Sequence, residues 1–317
     1  MKKMIALLLI LLLLTGCTSQ IPIEPTTQPT TQPTTQSTTQ PTTQSTTQPT
    51  QVAESGLTVH FLDVQHADCI LISCGGEYAL VDGAYPESGD KIVAYLQEQG
   101  VQDLDLMVGT HPHGDHIGGL PQVLDTFPTQ TVWASQLPYT NDYVSSFTRA
   151  VTQNGAELVQ PRPGDSYQLG DATIDVVGPL SLKYEDANDL SLVLMVTYGN
   201  TRFLLTGDME EVAERELVEA GVDLKADVLK VGHHGSASST SYRFLRAVAP
   251  TYGVISLAAY NEYGHPHRAP LSRLMDADVT IYRTDKMYDI VAFSDGETVS
   301  FTCGNIYAEP WRPGDPR

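Results

Sequence analysis

GTHPHGDHIGGL, residues 109–120, is the segment that decides the fold of this chain. It places His111, His113, Asp115 and His116 within six residues. Neutral imidazole and carboxylate are ligands that borderline divalent metals such as zinc prefer. The first two histidines, one residue apart in an extended loop, face one point, whereas Asp115 and His116 begin a helix and face another. The segment therefore predicts that divalent metal binds here.

The neighbouring sequence supports this reading. Residues 105–110 predict a buried strand that runs directly into the histidines, and Gly118-Gly119 would let the following helix approach the site closely. Two further histidine groups, at 233–234 and 265–267, also follow predicted strands, so that seven of the nine histidines lie in three clusters. Loops at strand ends are where binding sites are built on rigid supports. We therefore expect the clusters to form one site.

Beyond these clusters the pattern is that of an α/β protein. Short apolar runs alternate with segments of helical periodicity, and residues 190–198 and 202–205 predict a hairpin across Gly199-Asn200. The strands fall into two sets, each with its own covering helices. Two such sets predict a four-layer α/β/β/α sandwich, in which two sheets pack face to face between helices.

The first 51 residues do not have a globular composition. Residues 1–17 carry two lysines and an apolar run too short to span a bilayer, and they end in Leu14-Thr15-Gly16-Cys17, which resembles the lipobox of bacterial lipoproteins. The resemblance implies a signal peptide, lipidation of Cys17 and attachment of the chain to the extracellular face of the cell membrane through the lipid alone. An uncleaved anchor helix is the alternative. Residues 18–51 repeat Thr, Gln and Pro and predict a disordered tether.

Residues 52–303 then form the predicted folded domain, and 304–317 a C-terminal tail. The domain contains three cysteines, which is not the pattern of a disulfide scaffold, so we expect buried thiols. The formal net charge of −20 counts against non-specific binding of nucleic acid unless metal compensates. We expect a monomer.

The motifs together resemble the metallo-β-lactamase superfamily, whose signature is His-x-His-x-Asp-His. LVDG (80–83), FLLTGD (203–208) and HHGS (233–236) resemble its other motifs. FLDVQHADCILI (61–72), NDLSLVL (188–194) and NEYGHPH (261–267) narrow the resemblance to the extracellular hydrolase domain of ComEC-type DNA-uptake proteins and their free-standing relatives. A phosphorylcholine esterase that acts on cell-wall teichoic acid has a similar domain.

This resemblance implies a role for each candidate ligand. One metal ion would bind His111 and His113, a second would bind Asp115, His116 and His234, and Asp208 would bridge the two. Asp82 is expected to orient a ligand histidine. The last motif leaves a choice between His233 and His234, and we favour His234 because it directly precedes the glycine.

The chain departs from the family pattern at one position. No histidine lies between His116 and Asp208 to complete the first metal site. Asn188, with its neighbours Asp189 and Ser191, occupies the corresponding segment and could supply an oxygen ligand instead. Fewer nitrogen ligands would shift the preference from zinc towards manganese. The sequence therefore leaves the first metal site without its usual third histidine.

The resemblance predicts a surface-anchored phosphodiesterase that cleaves nucleic acid or a phosphodiester-containing wall polymer through a metal-activated hydroxide. Asp115 would orient or deprotonate the water, and His265 would bind a phosphate oxygen or protonate the leaving group. One alternative is hydrolysis of a β-lactam or another amide or ester. The other is a metal-binding lipoprotein whose catalytic function has degenerated.

Overall fold

A computed structural model describes residues 56–135 and 141–315 of the chain. The predicted signal peptide at 1–17 with Cys17, the predicted tether at 18–51 and residues 52–55 lie outside the described residues. Two mixed sheets with helices on their outer faces confirm the predicted four-layer α/β/β/α sandwich.

The first sheet comprises eight strands of the described residues, in the spatial order β15-β14-β1-β2-β3-β4-β5-β6. These strands are β1 (Leu57–Phe61), β2 (Ile70–Cys74), β3 (Glu77–Val81), β4 (Leu104–Gly109), β5 (Thr129–Ala134), β6 (Glu157–Val159), β14 (Ile290–Ser294) and β15 (Val299–Cys303). Strands β3 to β6 run parallel, and the others pair in antiparallel fashion.

The second sheet comprises seven strands of the same described ranges, in the order β13-β12-β11-β10-β9-β8-β7. They are β7 (Ser166–Leu169), β8 (Ala172–Gly178), β9 (Val193–Tyr198), β10 (Thr201–Leu205), β11 (Val228–Lys230), β12 (Tyr252–Ile255) and β13 (Thr280–Arg283). Strands β9 and β10 form the hairpin predicted at Gly199-Asn200, with Tyr198 opposite Thr201. Strands β10 to β13 are parallel.

Eight α-helices in the described residues cover the sheets. They are α1 (Gly89–Glu98), α2 (Gly114–Ile117), α3 (Leu120–Thr126), α4 (Asp142–Asn154), α5 (Glu211–Glu219), α6 (Tyr242–Val248), α7 (Arg268–Asp276) and α8 (Thr284–Met287). One apolar core lies between the sheets, a second lies beneath α1, α3 and α4, and a third beneath α5, α6 and α7. Successive side chains of a strand point to opposite faces of the sheet, so they enter two of these cores alternately. On β4, for example, Leu106 and Val108 face the core between the sheets, whereas Met107 faces the helices.

Two helices follow the histidine loop, because α2 ends at Ile117 and α3 begins only at Leu120. The break falls at Gly118-Gly119, where the chain passes very close to the loop after β3. A Cβ at Gly118 would lie 2.3 Å from the carbonyl oxygen of Gly114, and one at Gly119 would lie 2.3 Å from that of Gly83. Any larger residue would therefore push the histidine loop away from the first sheet.

The C-terminal residues up to 315 pack against the second sheet. Trp311 pairs with Ile281 of β13 through two backbone hydrogen bonds of 2.8 and 3.1 Å. The predicted thiols are free, with Cys69 and Cys74 buried and Cys303 half-buried. Within the part of the chain that the structure describes, no helix is both long and apolar enough to cross a membrane.

Candidate metal centre

The candidate site lies where parallel strands of both sheets end. Strands β3 and β4 lead into Asp82 and Thr110, and β10, β11 and β12 lead into Asp208, His233-His234 and Ser256. Parallel strands deliver their carboxyl ends to one edge of a sheet, so side chains that are distant in the sequence meet there.

Asp82 fixes the histidine loop to the first sheet. Its carboxylate accepts hydrogen bonds from the backbone N–H of Thr110 at 2.8 Å, the Thr110 hydroxyl at 2.8 Å and Nδ1 of His116 at 2.7 Å. A carboxylate that accepts these bonds has no proton to give. His116 therefore carries a proton on Nδ1, and Nε2 is the atom that a metal ion would bind.

His111 also carries a proton on Nδ1, for a related reason. The Thr110 hydroxyl gives its proton to Asp82, so it can only accept at Nδ1 of His111, 3.1 Å away. The hydroxyl of Ser191 lies 3.3 Å from the same nitrogen. The unprotonated Nε2 of His111 lies 3.1 Å from Nδ1 of His113, so the two histidines converge as the sequence predicted.

The last histidine motif follows β11 in a left-handed turn. His233 and His234 have φ angles of 47° and 51°, which are uncommon for residues other than glycine. Nδ1 of His234 donates to the carbonyl oxygen of Ser256 at 2.9 Å, and Nδ1 of His233 bonds to the Glu210 carboxylate at 2.8 Å. Both rings therefore present Nε2 to the interior of the site.

Asp208 lies at the centre of these rings. Its Oδ2 is 3.3 Å from Nε2 of His116, 3.7 Å from that of His233 and 3.9 Å from that of His111. Its Oδ1 is 3.6 Å from Nε2 of His234. Both oxygens of one carboxylate thus face imidazole nitrogens, which is the position that the sequence predicted for a bridging ligand.

Asp115 completes a set of four groups that fits a metal ion. Ligand atoms of Asp115, His116, Asp208 and His234 all lie within 4.8 Å of one another. Nε2 of His116, Oδ1 of Asp208 and Nε2 of His234 are buried and have no hydrogen-bond partner among the described residues. Buried polar atoms without partners are costly, and lone pairs that face each other are neutralised by a cation. The donor set therefore fits a divalent metal.

The predicted first site, at His111 and His113, does not form such a set with other described side chains. Among residues 56–135 and 141–315, no group of three histidine, cysteine or acidic side chains within 4.8 Å of one another includes His111 and His113. The predicted oxygen ligand Asn188 lines the cleft, and its buried Oδ1 has no hydrogen-bond partner among the described atoms. Of its two neighbours, Ser191 contacts His111 and accepts a bond from the backbone N–H of Asp208 at 3.1 Å, whereas Asp189 accepts from the backbone N–H of Glu210 at 3.0 Å.

The electrostatics of the site show an excess of negative charge. Burial disfavours a charged imidazole, but Asp208, Asp82 and Asp115 outweigh it and raise the pKa of His116 well above 6.5. The same balance of burial against Asp208 and Asp115 raises the pKa of His234. Burial opposes ionisation of Asp115, yet His116 and His234 hold its pKa below the ordinary 3.8. Protons would thus compete with a metal for these ligands.

A cleft of about 380 Å³ opens onto these groups. No lysine or arginine is among its described lining residues, which are His66, Tyr85, His113, Gly114, Asp115, Tyr143, Asn188, Asp208, His233, His234, Tyr263 and His265. His265 is therefore in the cleft, as predicted, with Nδ1 3.2 Å from Nε2 of His66. Burial, followed by the neighbouring histidine rings, lowers the pKa of His265 to about 3, so its imidazole is neutral.

Sequence reasoning missed the groups that support the ligands. Lys230 and Asp68 are buried beneath the site, with Nζ of the lysine 2.7 Å from Oδ2 of the aspartate. Oδ1 of Asp68 is 3.7 Å from Nδ1 of His234. The one available signal was a lysine inside the apolar strand β11. Glu210, which holds His233, gave no signal in the sequence.

The structure therefore brings together the predicted residues His111, His113, Asp115, His116, Asp208, His234 and His265, with Asp82, Asn188 and His233 around them. The predicted lipidation site, Cys17, lies outside the described residues. His267 faces away from the centre, where Nδ1 accepts the backbone N–H of Ala237 at 2.9 Å.

Comparison with known proteins identifies relatives that match about two thirds of the chain or more. The sequence model described as "Metallo-beta-lactamase superfamily" matches residues 62–259. The chain is 30% identical over 224 residues to ComE operon protein 3 of Bacillus subtilis (strain 168), which covers 68% of this chain and 29% of that protein. It is 30% identical over 236 residues to competence protein ComA of Neisseria gonorrhoeae, covering 74% and 32%. The chain spans about a third of the length of these curated relatives.

Solved structures agree on the fold. The metallo-beta-lactamase fold protein YhfI from Bacillus subtilis has a TM-score of 0.50 and 13% identity, covering 78% of this chain and 100% of that one. A CmlA beta-hydroxylase variant has a TM-score of 0.51 and 13% identity, covering 74% and 53%. At this level of identity the similarity shows the fold alone.

Proposed function

The chain belongs to the metallo-beta-lactamase superfamily and is related to competence proteins, and from that premise we propose that it is a metal-dependent phosphodiesterase. One observation supports the proposal above the others. Four imidazoles, His111, His116, His233 and His234, direct an Nε2 atom at the single carboxylate of Asp208.

Two divalent ions bound there would lower the pKa of a water molecule to near neutrality and offset charge on the phosphoryl oxygens. Asp115 is placed to orient the attacking water, because its Oδ2 lies 3.6 Å from Nε2 of His234 and its side chain reaches the cleft. Its lowered pKa keeps it ionised, so it accepts a hydrogen bond from that water. His265, which also lines the cleft and is neutral, donates an N–H to a phosphoryl or leaving oxygen.

In this cleft the metal ions, and not basic side chains, would bind the phosphate of a phosphodiester. The chain has a net charge of −20, and the described lining offers no lysine or arginine to bind a polyanion along its length. Three tyrosines line the cleft instead, Tyr85, Tyr143 and Tyr263. Flat aromatic rings stack on bases of single strands, so we propose single-stranded nucleic acid as the first substrate class and a phosphodiester wall polymer as the second.

The activity test compares three substrates with one protein. Purified protein loaded with Zn²⁺ or Mn²⁺ should hydrolyse bis-p-nitrophenyl phosphate and single-stranded DNA, and it should leave the β-lactam nitrocefin intact. Asp208→Asn should lose the activity together with the bound metal. Hydrolysis of nitrocefin without cleavage of either phosphodiester would replace the proposal by an amide hydrolase. Metal binding without turnover of any substrate would favour a degenerate metal-binding lipoprotein.

We propose that the domain acts on the extracellular face of the cell membrane, to which a lipid on Cys17 attaches it. We also propose that the protein is a monomer. The proposal rests on the apolar run, the Leu-Thr-Gly-Cys sequence at 14–17 and the polar repeats that follow. Cells grown with labelled palmitate should label the protein, and Cys17→Ala should abolish the label. Labelling that survives this substitution would refute the anchor.

A further inference from the structure

The first metal site lacks one histidine by the family pattern, since none lies between His116 and Asp208. The structure brings a different histidine, His233, to Oδ2 of Asp208, which is the oxygen that His111 also faces. His233 comes from the last motif, and the sequence suggested it only as an alternative to His234. In the fold, the two neighbours do not compete for one position.

The ring of His233 is held as a ligand ring is held. Its Nδ1 lies 2.8 Å from Oε1 of Glu210, and the hydroxyl of Ser238 donates to the same oxygen at 2.6 Å. The carboxylate only accepts, so Nδ1 of His233 carries a proton, and Nε2 is the ring atom that a metal ion would bind. Metal-binding histidines characteristically donate their second N–H to a carboxylate or carbonyl in this way.

The backbone turn separates the two neighbours. His233 and His234 both have positive φ, and their ring centroids are 6.2 Å apart with planes at 70°. Nε2 of His233 faces Oδ2 of Asp208 at 3.7 Å, whereas Nε2 of His234 faces Oδ1 at 3.6 Å. His111 faces the same Oδ2 as His233, at 3.9 Å. These separations are too long for hydrogen bonds, and they leave room for a cation between the atoms.

We propose that Nε2 of His233 is the third imidazole ligand of the first metal site, beside His111, His113 and Oδ2 of Asp208, and that Glu210 is its positioning residue. The inference rests on the metal centre of the proposed function and is independent of the reaction that the centre catalyses. Three nitrogen ligands and one carboxylate favour zinc at this site over the harder manganese ion.

Asn188 is the rival ligand, because its buried Oδ1 has no hydrogen-bond partner among the described residues. Its Nδ2 lies 3.5 Å from Nδ1 of His233, beside Glu210. Asn188 therefore borders the edge of the ring that is turned away from Asp208. His233 is held by the Glu210 carboxylate, and its Nε2 lies 3.7 Å from Oδ2 of Asp208, so we assign the ligand to His233.

The test counts the ions bound to each chain. Protein stripped with a chelator and reloaded with Zn²⁺ is measured by inductively coupled plasma mass spectrometry. Wild type should bind two ions and His233→Gly one, and glycine is chosen because it adopts positive φ without strain. Asn188→Ala should bind two ions. His267→Ala, in which a nearby histidine outside the centre is removed, is the matched control and should also bind two.

Glu210→Gln provides a second measurement in which the ring remains. It should weaken the affinity for one of the two ions by about 10–100-fold and shift the visible absorption of the Co²⁺-loaded protein. Two ions in His233→Gly would overturn the assignment even if activity were lost. One ion in Asn188→Ala would then identify Asn188 as the ligand. Fewer than two ions in wild type would overturn the proposed metal centre itself, which separates the two failures.

Discussion

Replacement of Lys230 by methionine tests whether the floor of the site depends on a buried ion pair. Lys230 is fully buried and Asp68 is 1% exposed, with Nζ and Oδ2 2.7 Å apart. Oδ1 of Asp68 has no hydrogen-bond partner within the described residues. In Lys230→Met the carboxylate would therefore remain buried without the ammonium group 2.7 Å from Oδ2, and with only the weaker contact of 3.7 Å between its Oδ1 and Nδ1 of His234. The loss of one partner from a buried pair costs about 3–5 kcal/mol of the free energy of unfolding.

The double variant Asp68→Leu/Lys230→Met separates an uncompensated charge from a packing defect. Replacement of a whole buried ion pair by apolar residues of similar volume is often neutral or stabilising. The double variant should therefore be more stable than Lys230→Met alone. Urea unfolding in the presence of a chelator is the appropriate assay, because bound metal would otherwise add its own binding free energy. A loss below about 1 kcal/mol in Lys230→Met, or simple additivity of the two substitutions, would refute the reasoning.

Substitutions at three further positions give independent predictions. Asp82→Asn places an amide where three donors converge, including His116, and it should lower metal affinity by about 10–100-fold in a chelator competition; unchanged affinity would contradict the orienting role. Burial raises the pKa of Glu214 from 4.5 to about 7. The unfolded chain therefore loses this proton first and the free energy of unfolding falls from about pH 4.5 to 7. Glu214→Gln should flatten that slope in thermal melts, and an unaltered slope would count against it. Tyr288 has φ 59° and ψ −140°, a conformation that favours glycine. Tyr288→Gly should therefore exceed Tyr288→Ala in stability by about 1–2 kcal/mol, and equal midpoints in urea would exclude backbone strain there.

The sequence determined the fold class and most of the side chains that meet at the candidate site. Within 111–116 the spacing is so short that backbone geometry alone brings imidazole and carboxylate groups together. The alternation of strand and helix patterns was sufficient to predict two covered sheets. The glycines at 118 and 119 indicated a close approach, and they fall between α2 and α3, where the loop after β3 occupies the space.

Only the tertiary structure decided which way the adjacent histidines point. The direction of a side chain in a left-handed turn depends on φ and ψ, and the letters His-His do not encode those angles. The roles of Glu210, Asp68 and Lys230 were hidden for a similar reason, since each acts through a partner that is distant in the sequence. Ligand types are a property of the residues themselves, whereas the oxygen that each nitrogen faces is set by the packing of two sheets.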